Sequence, residues 1–118
     1  MNIKELYKSI ILDHGTSPRN RSRLQNFNHE TIGSNPLCGD KVHIFFNVID
    51  DLIDQISFVG EGCAICIASS SVMTEVLKNK SKKEVVAISK YFINVIINNN
   101  HPFPIFLDQD NKTKLDSF

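Results

Sequence analysis

The stretch "KVHIFFNVIDDLIDQISFV", Lys41 to Val59, decides the architecture. Val42, Ile44, Phe46 and Val48 alternate with His43, Phe45 and Asn47, the period of a strand with one face on a core. Ile53 to Val59 is a second run rich in β-branched and aromatic residues, and Asp50 and Asp51 separate the two. The reading is an antiparallel hairpin. Folded back symmetrically about Asp50-Asp51, it sets Cys38 opposite Cys63, at the roughly 5 Å that separates facing strand residues. Asp40, two residues from Cys38, then points to the same side, with Gly39 and Gly62 leaving room.

Working outward, Glu30 to Ser34 reads as a short preceding strand that Pro36 ends, which makes the sheet small and antiparallel. Ile3, Leu6, Tyr7, Ile10 and Ile11 recur at helical spacing; Asn2 and Glu5 have cap spacing, and Gly15 suits the C-terminal stop. The segment "GTSPRNRSRLQN" that follows is a polar, basic loop expected to lie exposed. Beyond "GEGC", Ile65, Ala68, Val72, Met73, Val76 and Leu77 mark a second helix ending near Lys78. Ser81-Lys82-Lys83-Glu84 is a capping box, followed by the stripe Val85, Ile88, Ser89, Phe92 and Ile96. Asn98-Asn99-Asn100 and the prolines at 102 and 104 end that helix, and the last eighteen residues read as loop. No internal repeat is present.

A chain of 118 residues with this pattern makes one α+β domain around one core. Thirteen basic residues balance thirteen acidic ones, so no global field favours nucleic acid or an anionic membrane, and neither is expected as a partner. The local exception is Arg19, Arg21 and Arg23, which are all the arginines in the chain. No run of apolar residues is long enough to cross a bilayer and the N-terminus lacks a signal peptide pattern, so a cytoplasmic protein is expected. Three cysteines in a reducing compartment point to metal or sulfur chemistry rather than disulfides.

Two thiolates and a carboxylate, Cys38, Asp40 and Cys63, suit zinc, and cysteine-rich sites also suit iron–sulfur clusters. Cys63 stands at the mouth of the second helix, where free N–H groups and the helix dipole favour a thiolate. Cys66, one turn on and flanked by apolar residues, reads more often as small core filler than as a ligand. His14, His29, His43 and His101 are isolated in sequence and read as surface or satisfied histidines; His14 at a helix end suits the dipole, and His101 is the best histidine candidate for a ligand. Taken alone, "PLCGD" reads as a turn carrying a buried thiol; the Cys38, Asp40 and Cys63 constellation is what makes it a ligand set.

In order along the chain, "LYKSIILDHGTSPRNR", "NPLCGDKVHIFF", "IDQISFVGEGCAICIASSSVMTE" and "ISKYF" resemble the IscU/NifU-like iron–sulfur cluster scaffold family, and its SufU branch in particular. The resemblance implies a three-stranded antiparallel sheet covered on one side by helices. It puts Cys38, Asp40 and Cys63 on the family's ligand positions and makes Cys38 the sulfur acceptor. It implies a cysteine desulfurase as sulfur donor, apo iron–sulfur proteins as recipients, and zinc, an iron–sulfur cluster or both as cargo or cofactor. In this family a third ligand cysteine follows in a C-terminal segment. The chain reaches Phe118 before one and reads as a C-terminally truncated IscU/NifU N-terminal-like domain over 1–118 without the final helices. The fourth ligand then stands open among a missing cysteine, Cys66, His101 and water. The "SPRNR" loop also matches a family feature and offers a basic surface to the desulfurase; no LPPVK-type chaperone segment is present. Two other readings are a structural zinc-binding or interaction domain and an inactive truncated paralogue.

Overall fold

The computed structural model describes residues 2–35, 39–97 and 114; of Ile3, Asn35 and residues 93–97 it describes the backbone alone. Pro36, Leu37, Cys38 and the tail with Asn98-Asn99-Asn100, His101 and the prolines at 102 and 104 lie outside them.

The element order is α1 (Ile3–Thr16), β1 (His29–Asn35), β2 (Asp40–Ile49), β3 (Leu52–Glu61), α2 (Ala64–Leu77) and α3 (Lys82–Ile97). The strands form one antiparallel sheet in the order β1-β2-β3. A two-residue turn joins β2 to β3, with Asp50 and Asp51 both at positive φ, 53° and 63°. This is the turn whose twist matches a hairpin, and aspartate tolerates the left-handed conformation better than most residues.

The hairpin is not symmetric along its length. Ile49 faces Leu52 and Val48 faces Ile53, but Asn47 faces Gln55, so Asp54 is an extra residue and the register slips by one from there on. Burial explains the bulge. Ile56 and Phe58 are inward, at 6% and 0% exposure, and strict alternation would turn Asp54 inward with them. The bulge instead brings in Ile53, 7% exposed, and leaves Asp54 in water, avoiding the large cost of an unpaired buried carboxylate. The symmetric register is therefore not that of this sheet: continued past the Lys41–Glu61 pair, the observed one sets Asp40 against Gly62, not Glu61, while the expected Cys38–Cys63 pairing lies outside the described residues.

The helices cover one face of the sheet. Val72, Val76, Ile88 and Tyr91 form a buried cluster with Leu77 and Phe92 packed on it, while Phe58 and Ala68 are fully buried. Burying each of the valine, isoleucine and phenylalanine side chains among them is worth roughly 1.5–3 kcal/mol, so the α2 and α3 faces carry much of the fold's stability. Ile67 and Tyr91 are core residues absent from the sequence stripes, whereas Ile65 is 52% exposed and Ser89 faces solvent. The capping box forms: Glu84 N–H donates to Ser81 Oγ at 3.2 Å and Ser81 N–H to Glu84 Oε1 at 3.0 Å. Asn2 caps α1, accepting from Glu5 N–H at 2.8 Å. Gly15 does not stop α1. It lies inside the helix against Ala64, and the helix ends a residue later, with Ser17 N–H bonded to Asp13 O.

The 17–28 segment is largely exposed, as its composition implies, yet it is tied down throughout. Phe58 N–H donates to Asn20 O at 2.9 Å, and Asn79 and Lys80 bond to Ile53, so the free edge of β3 is protected at two points. On the face away from the helices, Phe27 packs at 5.0 Å from the fully buried Phe45 ring and the Arg23 guanidinium lies 5.1 Å above it. That contact explains why Phe45, an outward residue by alternation, is fully buried.

Candidate metal and sulfur site

Between the start of β2 and the head of α2 lies an open cavity of about 360 Å³ lined by Ser34, Asp40, Cys63, Ile65, Cys66 and Ser69 among others. Gly39 enters β2 at φ +72°, a conformation that favours glycine, and Asp40 follows it. Cys63 is the N-cap of α2: its carbonyl accepts the Ile67 N–H at 3.1 Å, and its side chain makes no capping hydrogen bond. The Asp40 Oδ1 instead accepts the Cys63 backbone N–H at 3.2 Å. A carboxylate from the sheet thus accepts the N-cap N–H, the part that the N3 carboxylate plays in a capping box, and the bond fixes Asp40 beside an exposed thiol.

Gly62 makes the approach possible. A Cβ there would collide with Asp40 Oδ1 and lie 3.0 Å from its Cγ and 3.2 Å from the Cβ of Cys66. The same contacts show where Cys66 sits. It is half-buried at the cavity wall beside Gly62, not in the core as its apolar neighbours suggest. Burial, then the nearby Asp40 and Cys63, push its thiol pKa up, while a hydrogen bond with Ser70 opposes them.

Of the sequence-derived set, the structure brings Asp40 and Cys63 together; Cys38 lies outside the described residues. Among the described residues, no three His, Cys, Asp or Glu side chains gather closely enough to hold a metal. The donor chemistry is nonetheless suitable: a thiol and a carboxylate at one open cavity suit zinc or iron with room for further ligands.

The histidines stand elsewhere. His43 pairs with Glu30 at 2.8 Å, and His29 bonds Asn28 and stacks on Phe46. His14 is 3% exposed rather than a solvent-facing helix end. Its Nδ1 is 2.7 Å from Ser71 Oγ and its Nε2 is 3.4 Å from Glu75 Oε1. The array has the order of a serine–histidine–carboxylate relay, but Ser71 is fully buried and accepts the Arg19 backbone N–H at 2.8 Å. With Ser71 donating to Nδ1, a neutral His14 keeps its Nε2 proton on the side that faces Glu75, 3.4 Å away. It is a buried tie between α1 and α2, and burial, helped by Arg19, lowers its pKa. Nothing in its isolated sequence position marked it; its one sequence cue is that it continues the Tyr7–Ile10–Ile11 face.

The arginines also have partners within the chain. Arg19 pairs with Asp13 at 2.6 Å, Arg21 donates to Gly60 O at 3.2 Å, and Arg23 lies over Phe45. Their clustering therefore anchors the loop, whatever else binds there. No described helix is long and apolar enough to cross a membrane.

Residues 6–102 match the NifU-like N terminal domain family. The chain belongs to that family. Among curated proteins it is 36% identical over 91 residues to the zinc-dependent sulfurtransferase SufU of Bacillus subtilis, covering 77% of this chain and 61% of that protein. It is 39% identical over 87 residues to the iron–sulfur cluster assembly scaffold protein IscU of Escherichia coli, covering 70% and 67%. The chain thus spans about three fifths to two thirds of the length of these relatives. A solved structure of a candidate iron–sulfur cluster assembly scaffold protein for the SUF system, from Fervidobacterium islandicum AW-1, superposes with a TM-score of 0.80 at 28% identity, covering 95% of this chain and 81% of that one. The α+β fold read from the sequence, a three-stranded antiparallel sheet with helices on one side, is the fold of this family.

Proposed function

We propose that this chain is an iron–sulfur cluster assembly protein that accepts persulfide sulfur from a cysteine desulfurase at a site formed by Cys38, Asp40 and Cys63. The observation that carries the reading is the Asp40 carboxylate held against the backbone of Cys63 across Gly62, in a chain of the NifU-like family. The zinc-dependent sulfurtransferase and cluster scaffold among its relatives support the same chemistry.

Cys38, Asp40 and Cys63 would hold zinc or the iron of a nascent cluster, the cluster being cargo. Bound zinc would keep the thiols deprotonated at neutral pH. Asp40 is the exchangeable member of such a set, since oxygen binds a soft site less firmly than thiolate. In sulfur acceptance the Cys38 thiolate attacks the terminal sulfur of the desulfurase persulfide; a new S–S bond forms at Cys38, the donor S–S bond breaks, and the desulfurase cysteine leaves as thiolate. Apo iron–sulfur proteins are the recipients this chemistry calls for.

Incubation with a cysteine desulfurase and cysteine should add one sulfur atom to Cys38, read by mass spectrometry after alkylation, and Cys38→Ala should abolish it. Undiminished acceptance by that variant refutes the assignment. A purely structural zinc is the weaker reading, because the Asp40–Cys63 hydrogen bond already joins β2 to α2. Under it, chelation would unfold the domain and no persulfide would appear.

A further inference from the structure

We propose that Cys63 and Cys66 form a dithiol–disulfide couple that reduces sulfur carried at this site to hydrosulfide. The inference rests on the sulfur-accepting reading above for the arrival of sulfur, and on the structure for the couple itself.

Cys63 and Cys66 are the two ends of a Cys-Ala-Ile-Cys segment whose first cysteine caps α2 and whose second lies in its first turn. Helix geometry puts Cα atoms three residues apart at about 5 Å. A disulfide spans roughly 4.4–6.8 Å between Cα atoms. Helical Cβ atoms tilt toward the N-terminus, so Cys66 leans back toward Cys63, and its Cβ is indeed the one that crowds Gly62 at 3.2 Å from an added Cβ. Both residues line the same cavity, and both are free. Their exposures differ in the way the chemistry needs. Cys63 is exposed, has no capping hydrogen bond to give up, and can meet a sulfur donor. Cys66 is half-buried behind it and can meet what Cys63 carries.

A persulfide on Cys63, passed on from Cys38 or donated by a small-molecule persulfide, has its terminal sulfur at the oxidation level of elemental sulfur. The Cys66 sulfur attacks the Cys63 sulfur. The Cys63–Cys66 bond forms, the bond to the terminal sulfur breaks, and that sulfur leaves with the electron pair and the proton of Cys66 as hydrosulfide. The sulfur gains two electrons and the cysteine pair loses two. An external dithiol reductant restores the two thiols by exchange and is itself oxidised. Cluster assembly needs sulfur as sulfide, so the couple would supply the missing reduction within the site.

The test treats the reduced full chain with glutathione persulfide, which bypasses any desulfurase. Hydrosulfide trapped with monobromobimane should be equimolar with a Cys63–Cys66 disulfide, seen as the loss of two hydrogens in the unreduced peptide spanning both residues. Cys66→Ser should keep the extra sulfur atom on Cys63 and release hydrosulfide at least about tenfold more slowly. Release at the wild-type rate from Cys66→Ser, or release without the disulfide, overturns the proposal. Independently, the thiol oxidant diamide should form the same disulfide in the wild type and in Cys38→Ser, and its absence in both overturns the couple. Hydrosulfide from glutathione persulfide together with no sulfur acceptance from a desulfurase would support the couple while refuting the desulfurase reading.

Discussion

Gly62→Ala separates the site from the fold. The added Cβ cannot coexist with the present position of the Asp40 carboxylate, whose Cγ would stand 3.0 Å away, nor comfortably with Cys66 Cβ at 3.2 Å. The structure can yield in two ways. Displacing the first turn of α2 repacks a helix end, at a cost of about 1–3 kcal/mol. Rotating the Asp40 side chain outward forfeits only its hydrogen bond to the exposed Cys63 N–H, about 0.5–1.5 kcal/mol. The flexible carboxylate moves first, but φ at Gly62 is +158°, a conformation that side chains rarely adopt, and this adds about 1–3 kcal/mol of strain, so metal-free stability should fall by about 2–4 kcal/mol, a drop in Tm of about 8–16 °C for a domain of this size. Zinc should report a larger change. A carboxylate swung out of the cavity no longer faces Cys63, and losing such a partner costs roughly ten- to a hundredfold in metal affinity. Zinc affinity is read by competition with a chromophoric chelator, alongside Asp40→Ala and the double variant. If Gly62→Ala acts through Asp40, the double variant should lose no more affinity than either single one. Zinc affinity equal to wild type in Gly62→Ala, despite a lowered Tm, would refute the reasoning and remove Asp40 from the ligand set.

Two further outcomes concern the frame around the site. His14 is buried with its pKa held below the usual 6.5, chiefly by burial and then by Arg19, so the unfolded chain takes up the proton first as pH falls. Its contribution is fully present above about 6.5 and drains away below it, at up to about 1.4 kcal/mol per pH unit. Urea unfolding across that range should show this slope, and His14→Gln should remove most of it; an unchanged slope would place the titrating group elsewhere. Ser81→Ala removes the N-cap of α3 and should cost about 1 kcal/mol in the same assay, with the helix retained by circular dichroism.

What could be read in the sequence was what depends on short spacings. The capping box at Ser81 and Glu84 and the Asn2 cap involve residues three apart, and their bonds form as the spacing implies. The hairpin turn was legible because Asp50-Asp51 interrupts two β-rich runs. The loop was harder, because its composition says solvent while its contacts are long-range: Phe27 on Phe45 and Asn20 on β3 join residues whose neighbours give no hint of each other. His14 belongs with these, since its partners Ser71 and Glu75 lie some sixty residues on. Cys66 departs from its sequence expectation for a related reason. Apolar neighbours on a helix suggest core, but at the first turn of α2 they line the rim of the cavity, and Ile65 is half-exposed there.

The register carries the deeper lesson. Symmetry about the turn paired Cys38 with Cys63 and would equally have paired Asp40 with Glu61, carboxylate against carboxylate. The spacing of Ile53, Asp54, Ile56 and Phe58 already argued against that symmetry, since one phase cannot bury both Ile53 and Phe58 and also expose Asp54. The bulge resolves the conflict near the turn, and a strand transmits the one-residue shift along its whole length. At the far end the shift sets Lys41 across from Glu61, an opposite-charge pair, and delivers Asp40 to Gly62, the residue whose missing side chain admits it beside Cys63. The bulge that keeps the Asp54 charge out of the core thus also fixes which residues meet at the site, so Asp40 and Cys63 are neighbours by a different route from the one that first joined them.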